Sequence, residues 1–380
     1  MVWIRKINRA CALLAAAAAF WCLPLWAQGA AKPPLDDSSW TLFQRVFGMV
    51  LRDYVEPKTA NEVILGALKG AASSAGPECA YIPPDEAAAY RDLASASAGL
   101  PLYVTKDADF AQILAVFPGQ DEAIKAGDSL RFIGNRSTYD MTYPQILEAL
   151  RGKAGDKVRC IFLQESAWKS YEVTLSCQKP APPDWIPIPA GAACLAIPCL
   201  EAEPSNQTLQ RLREFKGPLL IDLRGCASGD VASALKWAGL LLGKVDAPSR
   251  KGPKGMLTQP LAGPGYLMGR TYRVLVDKAT ARGGEVLALA LSGAGGVLVG
   301  QPTFGWAPYA EDLPLENGGI LRLNTAYFLA PGGAVMKDHP LQPDITFEPK
   351  ADQKPEEVYA LALRVAPAKS TAKDGGHGRQ

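Results

Sequence analysis

Between residues 185 and 348, short apolar runs alternate with segments of helical periodicity, and few folds accept that order. Runs 218–223, 272–276 and 297–299 are compact and largely apolar, as in strands buried on both faces. Segments 231–242 and 285–291 lie between them and read as apolar helices, and 320–325 as a further strand. Strand–helix alternation of this kind predicts an α/β core built on a largely parallel sheet.

The flanking regions differ. Segments 40–54 and 61–73 repeat apolar residues at helical spacing (Leu42, Phe43, Val46, Phe47, Val50; Val63, Ile64, Ala67, Leu68) and predict two amphipathic helices joined by Val55-Glu-Pro-Lys58. Residues 28–39, rich in Pro, Ala and Asp, read as a flexible entry. Residues 98–178 read as a small β-rich domain. Its strands are expected at 102–104, 112–116, 157–164 and 170–177, its helix at 143–150, and a Gly-rich turn runs from Arg151 to Val158. Lys179-Pro-Ala-Pro-Pro-Asp184 marks a linker. A short helix is expected at 356–365, inside a C-terminal segment 349–380 whose end is polar.

The first 27 residues carry Arg5, Lys6 and Arg9 ahead of an apolar run to Leu25. That is the pattern of a secretory signal with cleavage near Ala27, and it predicts export to the periplasm, with membrane anchoring if the signal is retained. Without this segment 37 basic residues face 38 acidic ones, a net charge of −1. Near-neutrality without basic runs excludes nucleic acid as a partner. Export permits disulfides. A register pairing Phe162 with Leu175 would place Cys160 opposite Cys177, the candidate disulfide. The alternative is two buried thiols. Two histidines, His339 and His377, and the cysteine spacings offer no metal site, and no cofactor is implied.

Several motifs, in order, resemble the C-terminal-processing (tail-specific) serine protease family over roughly residues 40–348. They are Arg52-Asp-Tyr-Val-Glu56 with Ile64-Leu-Gly-Ala-Leu-Lys-Gly70, Leu150-Arg-Gly-Lys-Ala-Gly-Asp-Lys-Val158, Leu220-Ile-Asp-Leu-Arg224, Thr303-Phe-Gly305, Leu323-Asn-Thr-Ala326 and Gln342-Pro-Asp-Ile345. The resemblance implies an N-terminal helical region (28–97), an inserted PDZ domain (98–178) and a ClpP/crotonase-like α/β core (185–348). It also implies a serine nucleophile with a lysine base. Matching the family's Ser-Ala-Ser-Glu onto Arg282-Gly-Gly-Glu285 puts Arg282 at the nucleophile. Matching Thr-Phe-Gly-Lys onto Thr303-Phe-Gly-Trp306 puts Trp306 at the base. Arginine stays protonated, and an indole accepts no proton from a hydroxyl. No serine lies between Lys278 and Leu291, and no lysine between Ala279 and Asn317. Glu285 matches the family's acidic neighbour; by itself it reads as a first-turn helix carboxylate, or as an ion-pair partner of Arg282.

Two further sites depart from the family. Its oxyanion turn, Asn-Asn-Pro-Gly-Gly, becomes Gly225-Cys-Ala-Ser-Gly229, with Ser228 where the first of the paired glycines belongs. Its PDZ carboxylate-binding loop becomes Gly99-Leu-Pro-Leu102, in which Leu100 is conservative but Pro101 lacks an N–H. The expectation is a pseudoprotease that binds a peptide, a protein C-terminus or another periplasmic protein without cutting it, Arg282 pairing with a carboxylate and Trp306 offering an apolar platform. The alternative is a working endopeptidase with a non-family nucleophile (Thr280, Ser228, Ser292 or Cys226) and Lys278 as the nearest candidate base. The N-terminal helices are the expected surface for a homo-oligomer.

Overall fold

The computed structural model describes residues 37–95, 101–106, 109–116, 120–153, 155–175, 182–227, 230–337, 339–350 and 353–365. In chain order these form α1 (Asp37–Asp53), α2 (Ala60–Ser73), β1 (Ala80–Ile82), α3 (Pro84–Ser95), β2 (Leu102–Lys106), β3 (Ala111–Val116), β4 (Ser129–Ile133), β5 (Arg136–Ser137), α4 (Tyr143–Ala149), β6 (Lys157–Gln164), β7 (Ala167–Thr174), β8 (Asp184–Ile188) and β9 (Ala192–Ala196). There follow α5 (Asn206–Glu214), β10 (Leu219–Asp222), α6 (Val231–Leu242), β11 (Arg250–Gly252), β12 (Gly255–Leu257), β13 (Tyr272–Val276), α7 (Gly283–Gly293), β14 (Val297–Gly300), β15 (Pro308–Pro314), β16 (Ile320–Phe328), β17 (Ile345–Thr346) and α8 (Pro355–Arg364). The signal-like segment and the C-terminal end from residue 366 lie outside the described residues.

The described residues up to Val63 and those from Ile64 onward fall into two compact units. In the first, α1 starts at Asp37, inside the stretch expected to be a flexible entry, and the Thr41 hydroxyl donates to the Asp37 carbonyl at 2.6 Å. Its apolar stripe is exposed at Trp40, Phe43, Val46 and Val50. Among the described residues no helix is long and apolar enough to cross a membrane.

The main sheet of the second unit runs β17-β14-β13-β10-β9-β8, parallel except for β8. Its central strands are largely apolar because both faces are covered, with Asp222 closing β10 and Arg273 within β13. Leu219, Ile221 and Val274 join a core with Trp237 and Leu241 of α6 and Val286 of α7. Leu220, Leu275 and Val299 point the other way, against Val358, Tyr359 and Ala362 of α8. Successive side chains alternate across a strand, so one run feeds two cores. Each fully buried aliphatic side chain contributes about 1.5–3 kcal/mol.

A second sheet, β1-β16-β11-β12 with β15 on β16, carries the segment preceding β1. The third, β2-β3-β4-β6-β7 with β5 on β4, packs with α4 around its own core of Leu102, Ile113, Leu130, Ile146 and Phe162. Its β6–β7 hairpin differs from expectation. Phe162 pairs with Lys169, not Leu175, and Cys160 faces Tyr171. The cause is a two-residue turn, Glu165-Ser166, with φ of 46° and 70°, which sets the register without a glycine. Cys160 is a buried free thiol, its pKa pushed up to about 12 by burial; Cys177 lies outside the described residues.

Candidate functional site

Three loops meet at the carboxyl ends of the parallel strands: 223–227 after β10, 277–282 after β13 and 301–306 after β14. Arg282 closes the middle loop, where strand turns into helix α7. Its backbone sits at φ 52°, ψ −121°, a strained conformation for a residue with a side chain, and such strain persists where the surroundings over-determine it. The surroundings do so here. Arg282 N–H donates to the Trp306 carbonyl at 2.9 Å, Ala281 N–H to Cys226 O at 3.1 Å, and Phe304 N–H to Thr280 O at 3.0 Å. Gly284 lets the loops touch: a Cβ there would lie 2.0 Å from the Cys226 carbonyl oxygen.

Glu285, in the first turn of α7, is fully buried and does not pair with Arg282. Its carboxylate accepts from the Thr303 hydroxyl, from Gly305 N–H at 2.8 Å and from Trp306 N–H at 2.7 Å. The expected local ion pair fails because the carboxylate is taken up by loop amides while the guanidinium is engaged elsewhere. Burial pushes the Glu285 pKa up to about 7 against the pull of those donors.

Arg282 instead reaches a residue far away in sequence. Its Nη2 donates to Glu78, immediately before β1, and to the Val104 carbonyl of β2 at 2.7 Å. Its guanidinium carbon lies 5.2 Å from the ring centroid of Tyr143, at the start of α4. Trp306, 5% exposed, donates its indole N–H to the same Glu78 oxygen at 3.1 Å, and the Thr105 hydroxyl adds a third donor at 2.7 Å. Burial works against charge on Arg282, and the Glu78 carboxylate and Tyr143 more than offset it, so its pKa is raised. Arg322 belongs to the same cluster. It lies 5.8 Å from the Tyr143 ring and pairs with Asp312 at 3.0 Å, and Tyr90 donates to Asp312 at 3.0 Å. Arg282 and Trp306 together thus form a clasp that joins the main sheet, the segment before β1 and the small β-sheet module.

The other sequence candidates are engaged structurally. Thr280 is fully buried, its hydroxyl donating to Leu223 O at 2.8 Å and to Asp277 at 3.1 Å. Asp277 also accepts from Gly225 N–H at 3.0 Å, and burial raises its pKa. In the expected oxyanion turn Gly225 adopts φ 66°, and the N–H groups of Cys226 and Ala227 donate to Leu223 O and Gly225 O. Every described amide of that turn therefore bonds within the fold. Ser228, Gly229, Gly99 and Leu100 lie outside the described residues; Pro101 and Leu102 are buried. Cys226 is fully buried, Lys278 is exposed, and Ser292 sits near the end of α7. Among the described residues no cluster of His, Cys, Asp or Glu could hold a metal ion. Sequence reading missed Glu78, Thr105, Tyr143 and Arg322. The one available signal was that a buried arginine demands a carboxylate, without saying which.

Comparison with known proteins places this frame. Residues 193–347 match the model of Peptidase family S41. The carboxy-terminal processing protease CtpA of Bacillus subtilis is 22% identical over 82% of this chain and 70% of its own length. The carboxy-terminal-processing protease of Bartonella bacilliformis is 21% identical over 82% of this chain and 76% of its own. The solved photosystem II D1 C-terminal processing protease shares the fold, with a TM-score of 0.66 over 86% of this chain and 97% of that one at 18% identity. The chain thus carries a peptidase family S41 domain and is a homologue of the carboxy-terminal processing proteases.

Proposed function

We propose that this chain is an exported, catalytically inactive member of the tail-specific protease lineage that binds peptides or protein C-termini without cutting them. The observation that carries the reading is the Arg282–Glu78–Trp306 clasp. A permanently charged guanidinium and an indole stand where the homologues' chemistry would need a nucleophile and a neutral base, and both are committed to a buried carboxylate. The engaged amides of Gly225, Cys226 and Ala227 add support, since an oxyanion needs donors aimed at solvent-accessible substrate.

In this reading the β2–β7 module with α4 is a PDZ domain, and the core is ClpP/crotonase-like. Its β2 lies at the edge of its sheet, the position where a peptide adds as a further strand. The exposed apolar stripe of α1 is the surface for self-association, readable from the solution mass of the wild-type chain against Phe43→Lys. A peptide-cleavage assay on casein and tailed peptides, run beside fluorescence anisotropy of the same peptides, tests the main reading. The expected result is binding without specific cleavage. Cleavage abolished by Thr280→Ala, Ser228→Ala or Ser292→Ala would establish a working endopeptidase instead.

A further inference from the structure

Glu78 is held in a manner that resembles a bound ligand more than a surface salt bridge. It is 2% exposed and lies just before β1 at φ 63°, an unfavourable backbone for a residue with a side chain. Three donors from three separate elements converge on one of its carboxylate oxygens: Arg282 Nη2, Trp306 Nε1 at 3.1 Å and Thr105 Oγ1 at 2.7 Å. Its backbone N–H donates to the Lys106 carbonyl at 3.1 Å, while Arg282 covers the Val104 carbonyl two residues earlier. Both carbonyls belong to β2, the terminal strand of its sheet, so the residue lies along the edge of that strand with its carboxylate in a cationic pocket.

We infer that Arg282, Trp306 and Thr105 form a carboxylate-binding site at the β2 edge, occupied in this conformation by the chain's own Glu78 as an internal stand-in for a peptide carboxylate. The donor set fits that chemistry. A guanidinium, an indole N–H and a hydroxyl are all donors, and none is an acceptor that would repel an anion except through the hydroxyl's lone pairs. Main-chain bonding along a strand edge plus capture of a carboxylate is the general physics of peptide addition to a sheet. Two positive-φ residues, Arg282 and Glu78, meet at this contact. A peptide whose carboxylate displaces Glu78 would therefore release the segment before β1 as it binds. The inference rests on the peptide-binding reading above, and it names the ligand chemistry and the element that competes with it.

The test uses the full chain carrying Glu78→Gly, because glycine tolerates the local φ and removes only the internal ligand. The variant is expected to melt roughly 5–15 °C below the wild type, since it leaves a buried guanidinium unpaired. Acetate should then raise its melting temperature by about 3 °C or more over chloride at equal ionic strength, and should leave the wild type no more shifted than chloride does. Acetyl-trialanine with a free carboxylate should act at lower concentration than acetate, and its C-terminal amide should not act. A free-peptide response without an acetate response would assign the site to peptide termini alone; the reverse would assign it to small acids. Arg282→Met added to Glu78→Gly should abolish both responses. Should Glu78→Gly refuse to fold in chloride, the soluble yield on refolding in acetate gives the same reading. No response to either acetate or the free-carboxylate peptide relative to chloride, by either measurement, overturns the site. Loss of that response with no cleavage detected would sink this inference alone; specific cleavage would sink the inactive reading on which it stands.

Discussion

Two buried carboxylates flank residue 306, and they are satisfied in opposite ways. Glu285 is held by the Thr303 hydroxyl and by the backbone N–H groups of Gly305 and Trp306, with a further backbone hydrogen bond from Arg282. Glu78 is held by a guanidinium, an indole and a hydroxyl, all side chains drawn from different parts of the chain. The first pocket shapes a loop and needs no cation, and burial consequently pushes its carboxyl up to about 7. The second joins elements and depends on a full positive charge. The contrast teaches that one buried carboxylate is satisfied mainly by backbone bonding within its own loops, while the other is satisfied by side-chain bonding between distant parts of the chain.

The sharpest way to break the comparison is to remove the cation from one pocket. Arg282→Met leaves Glu78 buried and unpaired, and should cost about 3–5 kcal/mol in urea unfolding, without any gain of peptide cleavage. Glu285 responds to pH instead. Its folded-state pKa lies above the unfolded value of 4.5, so its stabilising contribution is fully present below about 4.5 and is lost as pH rises through about 7. The difference is about 3 kcal/mol across that window. Unfolding free energies of the wild type should fall over it, and Glu285→Gln should flatten the slope while lowering stability at acid pH. A wild-type profile that rises between these pH values would contradict the assignment.

Smaller effects sharpen the same contrast. Trp306→Phe removes one donor to Glu78 but keeps an aromatic ring beside Tyr327, whose centroid lies 5.9 Å away. A loss of about 1–2 kcal/mol is expected. The smallest expected effect is none at all. Arg282→Ser combined with Trp306→Lys should still fail to hydrolyse tailed peptides, because a lysine placed beside Glu78 keeps its proton and cannot serve as a base. Hydrolysis by that double variant would show that Glu78 does not control the pocket.

The main sheet was legible because its strands bury both faces, so β10, β13 and β14 stand out as compact apolar runs, and helices α6 and α7 as apolar segments between them. Other elements carried no such mark. β8 contains Pro187 and β9 is rich in alanine, and they pair only because β9 finds β10. Helix α5 is polar, and only its cap, the Ser205 hydroxyl accepting from Thr208 N–H at 3.1 Å, announces it. The β6–β7 register escaped because Glu165-Ser166 takes a left-handed turn normally signalled by glycine or asparagine. At the site, the residue types at 282 and 306 were readable, and so was the chemistry they forbid. Their partner was not, since Glu78 lies 204 residues before Arg282 and 228 before Trp306, and no local pattern connects them.

A double-mutant cycle between Glu78→Gln and Arg282→Met, read by urea unfolding of the full chain, tests the clasp most directly. The two changes should be coupled by about 2–3 kcal/mol, the double variant being far less damaged than the sum of the singles. Additive effects, with coupling below about 0.5 kcal/mol, would mean that Arg282 holds nothing together.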